Sequence, residues 1–394
     1  MDEATKNYIF ENAEKDVHQL GLQSSKYPLV NMPLAIRQIT GRQKIRLKVP
    51  LFYNTAEILY PAQLSLEQSS SETTARYKSM LCNGNSLVDL TGGFGVDCAF
   101  MSTNFKQVTY VERQEELCEL AKNNFNFLYK KHIEIVNAQS ETYLNIINNV
   151  DWIYLDPARR SASGKKVVFL SDCEPDVSLL SGILLQKSKN VMVKLSPMMD
   201  VTAAVRELSQ TSEIHIIAVE NECKEVLILL NQSSENRLKI TTVNFGKNEQ
   251  NQYFTFNADE ETNCQIQYAS TLGKYLYEPN AAIMKSGAFK MVSSHFKLYK
   301  LHINTHLYTS NDRIFEFPGR IFEIAEIWEN GKNEWKNEAK KLKKTNLSIR
   351  NFPSSVDELR KKLKLADGGD TYLFACTLAN DQKVMLLCKK IRVE

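Results

Sequence analysis

From Ser86 the sequence alternates short apolar runs with helix-patterned stretches. The alternation closes on two strand-like runs, Glu213–Val219 and Lys224–Leu230, separated by Glu220–Cys223 alone. A parallel crossover needs about a dozen residues, so these last two strands must pair antiparallel. The runs before them are Leu87–Leu90, Gln107–Val111, Ile133–Val136, Trp152–Leu155 and Asn190–Leu195. Helical patterns fill the gaps. In Gln114–Leu128, the residues Leu117, Leu120, Ala121, Asn124, Phe125 and Leu128 share one face, and Ser178–Lys187 is a helix before the fifth strand. The pattern predicts an α/β domain with seven strands: a parallel sheet, helices on both faces, and a hairpin at one end.

The rest of the chain is of other kinds. Pro28, Pro33, Pro50 and Pro61 divide residues 1–80 into short helical pieces, and Ser69-Ser70-Ser71-Glu72 offers caps for a helix over Thr74–Leu81. Residues 233–265 are polar and read as a linker leading into strands, and 266–394 mix short strands with basic helices. A chain of 394 residues exceeds the roughly 250–300 that one core serves, so at least two domains are expected. With 43% apolar and 24% charged residues, a mainly disordered chain is excluded. No apolar run approaches the roughly 20 residues of a membrane span. The start, Met1-Asp2-Glu3, lacks a basic-then-apolar export pattern, so a cytoplasmic protein is expected. The eight cysteines contain no Cys-x-x-Cys pair and read as reduced core residues. His302 and His306 lack nearby carboxylates or cysteines in sequence, so no metal is expected.

Charge is uneven. Lys332–Lys364 holds eleven basic and four acidic residues, either a solvated helix face or a surface that tracks phosphates. Arg37, Arg42, Lys44, Arg46 and Lys48 form a second basic stretch.

The strongest chemical signal is Val88-Asp89-Leu90-Thr91-Gly92-Gly93-Phe94-Gly95-Val96-Asp97, a strand running into a glycine turn and then a helix. Glycines let backbone approach a ligand closely. The third glycine of the dinucleotide pattern is absent, because Val96-Asp97-Cys98 follows. Asp89 at the strand end suits a ligand with a cationic amino group. Glu112 ends the second strand, where a carboxylate accepts both ribose hydroxyls of a nucleoside. Asn137-Ala138-Gln139 follows the third strand, where an adenine amine would lie. Together these sites describe an adenosine with an amino-acid tail, S-adenosylmethionine.

Leu155-Asp156-Pro157-Ala158-Arg159-Arg160 sits at the carboxyl end of the fourth strand, where open α/β sheets bind ligands. A carboxylate and a fixed carbonyl there accept hydrogen bonds from a planar exocyclic amine and aim its nitrogen. Arg159 or Arg160 is offered as a clamp for a phosphate or carboxylate. Lys194 is a charge in an otherwise apolar fifth strand, expected in the cleft, on an acid such as Asp156, or simply at the strand end. Phe94 and Tyr154 are candidates for stacking on a base, although aromatics beside strands are commonly core.

Asp89–Asp97, Glu112-Arg113, Asp156–Arg160, Asp172-Cys173-Glu174-Pro175 and Val193–Pro197 resemble a bacterial family of class I S-adenosylmethionine-dependent methyltransferases with a C-terminal THUMP-like domain. Ser69–Ala75, Tyr277–Ile283 and Phe317-Pro318-Gly319-Arg320 extend the resemblance over most of the chain. It implies a Rossmann-like seven-stranded methyltransferase domain over 81–232, after a helical region over 1–80. It also implies a linker and small ferredoxin-like domain over 233–315 and a THUMP-like domain over 316–394, the last two forming an α+β region. The implied cofactor contacts are Asp89, Thr91, Gly92, Gly93, Gly95, Asp97, Glu112, Arg113, Ala138, Gln139 and Asp156, and the implied catalytic residues are Asp156, Pro157 and Arg159. Gln139 stands where many class I enzymes carry Asp. RNA, of transfer or ribosomal type, is the implied substrate.

The glycine loop is also similar to that of trimethylguanosine synthases, which carry Pro-Pro-aromatic where this chain has Pro157-Ala158-Arg159. Asp-Pro-Ala-Arg further resembles the fourth motif of RNA 5-methyluridine methyltransferases, which need a cysteine nucleophile after the fifth strand. That place reads Leu195-Ser196-Pro197, and Cys173 belongs to another segment, so the expected acceptor is nitrogen. Two alternatives stay open: a methyltransferase for protein or small molecules, and an RNA-binding module with a vestigial cofactor site.

Overall fold

A computed structural model describes residues 1–159, 169–232, 237–247, 250–329 and 331–391. The chain divides into two units, Met1–Ser212 with Leu227–Glu235, and Glu213–Val226 with Asn236–Glu394.

The first unit opens with α1 (Glu3–Glu11), α2 (Val17–Leu22), α3 (Met32–Lys48), α4 (Pro50–Asn54), α5 (Gln63–Gln68) and α6 (Glu72–Leu81). Asp2, Asp16, Asn31 and Ser71 start four of these by accepting backbone N–H groups on side-chain oxygens. Tyr8, Leu20, Met32, Ala35 and Ile39 form a core among them. The segment leading out of α4 is held by two buried amides. Gln38 donates to Tyr60 O at 2.9 Å and accepts Tyr60 N at 2.8 Å. Asn124 treats Leu59 in the same way, at 2.9 Å in both directions.

Next come β1 (Ser86–Asp89), α7 (Val96–Met101), β2 (Gln107–Glu112), α8 (Glu115–Phe127), β3 (Ile133–Asn137), α9 (Ser140–Ile146) and β4 (Val150–Leu155). The paired short strands β5 (Ala158–Arg159) and β6 (Cys173–Glu174) precede α10 (Val177–Lys187), β7 (Ser188–Leu195) and α11 (Val201–Glu207). The strands of this unit neighbour one another in the order β3-β2-β1-β4-β7-β9, with β9 at Glu222–Asn231. Pairing from β3 through to β7 is parallel. Ile153–Leu155 and Val191–Val193 are buried, as a strand covered on both faces requires. The parallel order brings the ends of β1, β2, β3 and β4 to one edge.

In the second unit β8 (Thr211–Val219) meets β9 through Glu220 and Asn221, both at positive φ, the backbone of a two-residue hairpin turn. Two strands that the seven-strand expectation did not include follow β8 in the order β9-β8-β10-β11. They are β10 (Lys239–Phe245), parallel to β8, and β11 (Gln252–Asn257), antiparallel to β10. They occupy the stretch read as a linker, of which 233–236 lie outside the described residues. The reading missed β10 because its Thr241, Thr242 and Asn244 are buried polar residues.

After α12 (Ala258–Asn263) comes a seven-stranded sheet. Its elements are β12 (Tyr275–Pro279), α13 (Ala281–Ser286), α14 (Phe289–His295), β13 (Tyr299–His302), β14 (Thr305–Ser310), β15 (Gly319–Trp328), α15 (Lys332–Ala339), β16 (Asn346–Arg350), α16 (Val356–Leu363), β17 (Thr371–Thr377) and β18 (Lys383–Lys390). The strand order is β13-β14-β12-β15-β18-β17-β16. Strand alternation sends Leu373 and Ala375 to the cluster containing Trp335, Leu359 and Leu363, and Phe374 and Cys376 to the opposite cluster with Leu276 and Phe322.

Candidate methyltransferase site

The glycine loop between β1 and α7 is built against two rings. A Cβ on Gly92 would fall 2.2 Å from Tyr110 Cε2, so the loop lies directly on that ring. Gly95 has φ +80° and faces Phe125, the left-handed conformation that favours glycine. Tyr110 is locked beneath, its hydroxyl donating to Gly93 O at 2.6 Å and its ring edge-on to Phe125 at 5.5 Å. Gly92 N donates to Val111 O and Gly95 N to Gly92 O, each at 2.9 Å.

Carboxyl groups converge on this loop. Glu112, ending β2, accepts Gly93 N at 3.0 Å and Gln114 N at 2.9 Å. Asp89, ending β1, is buried and accepts Thr91 N at 3.0 Å. Burial pushes the Asp89 carboxyl well above its ordinary value, and nearby Asp97, Asp156 and Glu112 add to this. Ala138 N donates to Glu112 O at 3.1 Å, while Gln139 is exposed at the start of α9.

Asp156 and Pro157 follow β4, both half-buried. The Asp156 N–H donates to Thr91 Oγ1 at 2.6 Å, tying the segment after β4 to the glycine loop. Lys194 Nζ, from β7, lies 2.5 Å from Asp156 Oδ2, so the lysine pairs with the acid. Downstream, the backbone of Ala158 and Arg159 pairs with Glu174 and Cys173. Glu174 is in turn held by Arg113 at 2.7 Å. The chain thus returns from Asp-Cys-Glu-Pro to clip the Asp-Pro-Ala-Arg segment.

Comparison with solved structures places this chain in a family. A crystal structure from Porphyromonas gingivalis W83, of a protein to which methyltransferase activity has been ascribed, is 34% identical, with a TM-score of 0.90 and coverage of 100% of both chains. The chain belongs to this methyltransferase family. Two family models match the second unit: a ferredoxin-like domain over residues 275–318 and a THUMP domain-like module over 319–390. Because β12 pairs with β15, those two segments share one sheet. An rRNA methylase from Streptococcus thermophilus also matches 40% of this chain and 94% of its own, at 13% identity and a TM-score of 0.31, a likeness too slight to carry an argument. No curated protein matches.

The residues read from sequence are placed differently from one another. Asp89, Thr91, Gly92, Gly93, Gly95, Glu112, Ala138 and Asp156 lie at the β1, β2, β3 and β4 ends or in the loop between them. Asp97 lies beneath, its Oδ2 accepting the hydroxyls of Ser70 and Tyr154 at 2.7 Å each. Burial pushes its carboxyl up, but the ammonium groups of Lys78 and Lys194 and these two hydroxyls outweigh burial and hold it below its ordinary value. Arg113 is engaged with Glu174. Arg160 lies outside the described residues. Phe94 packs edge-on against Phe52 at 5.2 Å and Tyr154 is buried on Asp97, so both are core rather than stacking platforms.

Lys78 was missed, because a helical lysine carries no signal of burial; Ser70 was read only as a helix cap and Tyr154 only as a stacking candidate, and neither contact with Asp97 was foreseen. Cys173 was assigned to a separate segment, yet β6 sets it opposite Arg159, buried, with Sγ 3.7 Å from Phe169 O. The basic stretch on α3 is largely paired internally: Arg37 with Glu116, Lys44 with Glu67, Arg46 with Glu14, and Lys48 on the carbonyls of Leu66 and Glu67. In the other stretch Lys340, Lys343, Lys344, Lys361, Lys362 and Lys364 are exposed. His302 contacts Asp381 and Asn351, whereas His306 stacks on Phe289. Among the described residues no helix is long and apolar enough to cross a membrane.

Proposed function

We propose that this chain transfers a methyl group from S-adenosylmethionine to a base nitrogen of RNA. One observation carries the reading: Thr91 Oγ1 holds the Asp156 backbone at 2.6 Å, so the glycine loop and the acceptor carboxylate share one corner of the sheet. The residues fit the cofactor. Asp89 is a buried carboxyl among other acids, and a cationic amino group would favour its ionised form. Glu112 already anchors Gly93 N and keeps lone pairs for ribose hydroxyls. Ala138 and Gln139 border the adenine side.

The bound cofactor supplies an electrophilic methyl on a sulfonium. The chain's own work is orientation and electrostatics. The Asp156 carboxylate and the Pro157 carbonyl accept the N–H groups of an exocyclic amine and aim its lone pair. Transfer would form the nitrogen–carbon bond as the sulfonium–methyl bond breaks and a neutral thioether leaves; the Asp156 carboxylate would stabilise the positive charge on nitrogen until its proton passes to solvent. Arg159 is the proposed clamp for a substrate phosphate. The trimethylguanosine-synthase-like loop makes guanine N2 the first nitrogen to test. The THUMP-like module and the exposed lysines of 336–364 recruit the RNA, and we keep 1–80, 81–232, 233–315 and 316–394 as the functional divisions.

The test is transfer of labelled methyl from S-adenosylmethionine to total RNA of a strain lacking this gene, with protein and small-molecule fractions run in parallel. Label in a discrete RNA, absent with wild-type RNA and lost in Asp156→Ala, is expected. Label confined to another fraction overturns the RNA substrate. Undiminished transfer by Asp156→Ala overturns the site.

A further inference from the structure

A row of alternating charges runs from α6 to the acceptor segment. Lys78 Nζ lies 3.1 Å from Asp97 Oδ1, and Lys194 Nζ lies 3.8 Å from Asp97 Oδ2 and 2.5 Å from Asp156 Oδ2. Side-chain exposure along Lys78, Asp97, Lys194 and Asp156 is 0, 10, 10 and 36%, so three charges are enclosed and only the last faces outward. Ser70 accepts from Lys78 at 3.1 Å and donates to Asp97, and Tyr154 donates to the same oxygen.

Enclosed charges interact far more strongly than solvated ones, and removing one leaves its neighbour uncompensated. Asp97 shares its charge between two ammonium groups. Lys194 is shared between two carboxylates and sits nearer to Asp156. That bias depends on Lys78 satisfying Asp97 from the other side. Without Lys78, Asp97 would compete with Asp156 for the same ammonium.

We infer that Lys194 is the positioning residue that sets the Asp156 carboxylate for the methyl acceptor, and that Lys78 and Asp97 hold Lys194 in place, so that α6 helps build the acceptor site. The inference rests on the reading of Asp156 as the residue that orients the amine. It gives the helices before the sheet a role in the chemistry, through Ser70 and Lys78, rather than a purely architectural one.

The experiment measures methyl transfer at saturating cofactor and RNA, and S-adenosylhomocysteine affinity, for Lys194→Met, Lys194→Arg, Lys78→Met and the double variant Lys78→Met/Asp97→Asn. Lys194→Met is expected to lower kcat about 100-fold while affinity stays within about threefold, and Lys194→Arg to restore part of the rate. Lys78→Met is expected to lower kcat about tenfold through the relay. The double variant, which also removes the competing carboxylate, should be faster than Lys78→Met. If Lys78→Met does not fold, the Lys194 pair still decides. An unchanged kcat in Lys194→Met, or an affinity that falls in step with kcat, overturns the inference. If the wild-type protein labels no fraction, the proposed function fails on that result. The inference is then judged by crystal structures of wild-type and Lys194→Met protein with S-adenosylhomocysteine. A displaced Asp156 carboxylate supports it, and an unmoved one overturns it.

Discussion

Gly92→Ala and Gly93→Ala, one position apart, should behave differently for reasons visible in the loop. An alanine Cβ at Gly92 would sit 2.2, 2.4 and 2.5 Å from Tyr110 Cε2, Cζ and Cδ2. Ordinary carbon contacts are about 3.5–4.0 Å, so something must move by about 1 Å. Tyr110 cannot retreat, because it is fully buried, bonded to Gly93 O and braced by Phe125. The loop must move instead, straining Gly92 N to Val111 O, Gly95 N to Gly92 O and Gly93 N to Glu112. Overpacking of this kind costs about 1–3 kcal/mol. In a unit of about 200 residues, a loss of about 2 kcal/mol lowers Tm by about 4–8 °C. At Gly93 a Cβ meets nothing nearer than 3.8 Å, and only the φ of +53° is unfavourable, at about 1 kcal/mol. Thermal unfolding of both variants reads the difference, and calorimetric titration with S-adenosylmethionine should show at least about a tenfold affinity loss for Gly92→Ala. Equal Tm values for the two variants, or a Gly92→Ala protein that unfolds like wild type, would refute the packing argument.

Three further outcomes are expected. Below pH 3.8 both folded and unfolded Asp89 hold a proton; as pH rises, the unfolded chain releases it first, and the fold loses stability up to the raised native value. Asp89→Asn should therefore raise the ligand-free Tm at pH 7 while weakening S-adenosylmethionine binding, and a lower Tm would contradict the assignment. Burial, with Lys300 and Arg350 nearby, pushes His306 from 6.5 to about 4, so its contribution to stability is complete above 6.5 and lost as pH falls toward 4. Acid titration of unfolding should show a flatter limb between those values in His306→Gln; an unchanged limb would clear His306 of the effect. Cys173→Ser should keep methyl transfer near the wild-type rate, since Sγ is buried against Phe169 O, and loss of transfer with intact folding would point to carbon methylation instead.

Much of the first unit was readable because its buried strands are runs of Val, Ile, Leu and Tyr, and because a glycine turn follows the first of them. The pairing of Lys194 with Asp156 was readable as one of several options, since a lysine in an apolar strand needs an acid. What escaped was decided in three dimensions. Lys78 looks like any helical surface lysine until Asp97 and Ser70 enclose it. Asn124 fitted an apolar helix face only because Leu59 satisfies its amide. Strand β10 hid behind buried threonines, and nothing in the basic run on α3 showed that acids elsewhere in the fold occupy much of it.

The pairing of β12 with β15 bears on whether either segment can stand without the other. Five residue pairs, from Tyr275 opposite Glu323 to Pro279 opposite Gly319, span the point where one family match ends and the next begins. A recombination event that exchanged either segment alone would expose a raw strand edge, which invites aggregation. The two segments therefore form a single folding cassette, and a relative that kept one without the other would need a replacement strand to seal that edge.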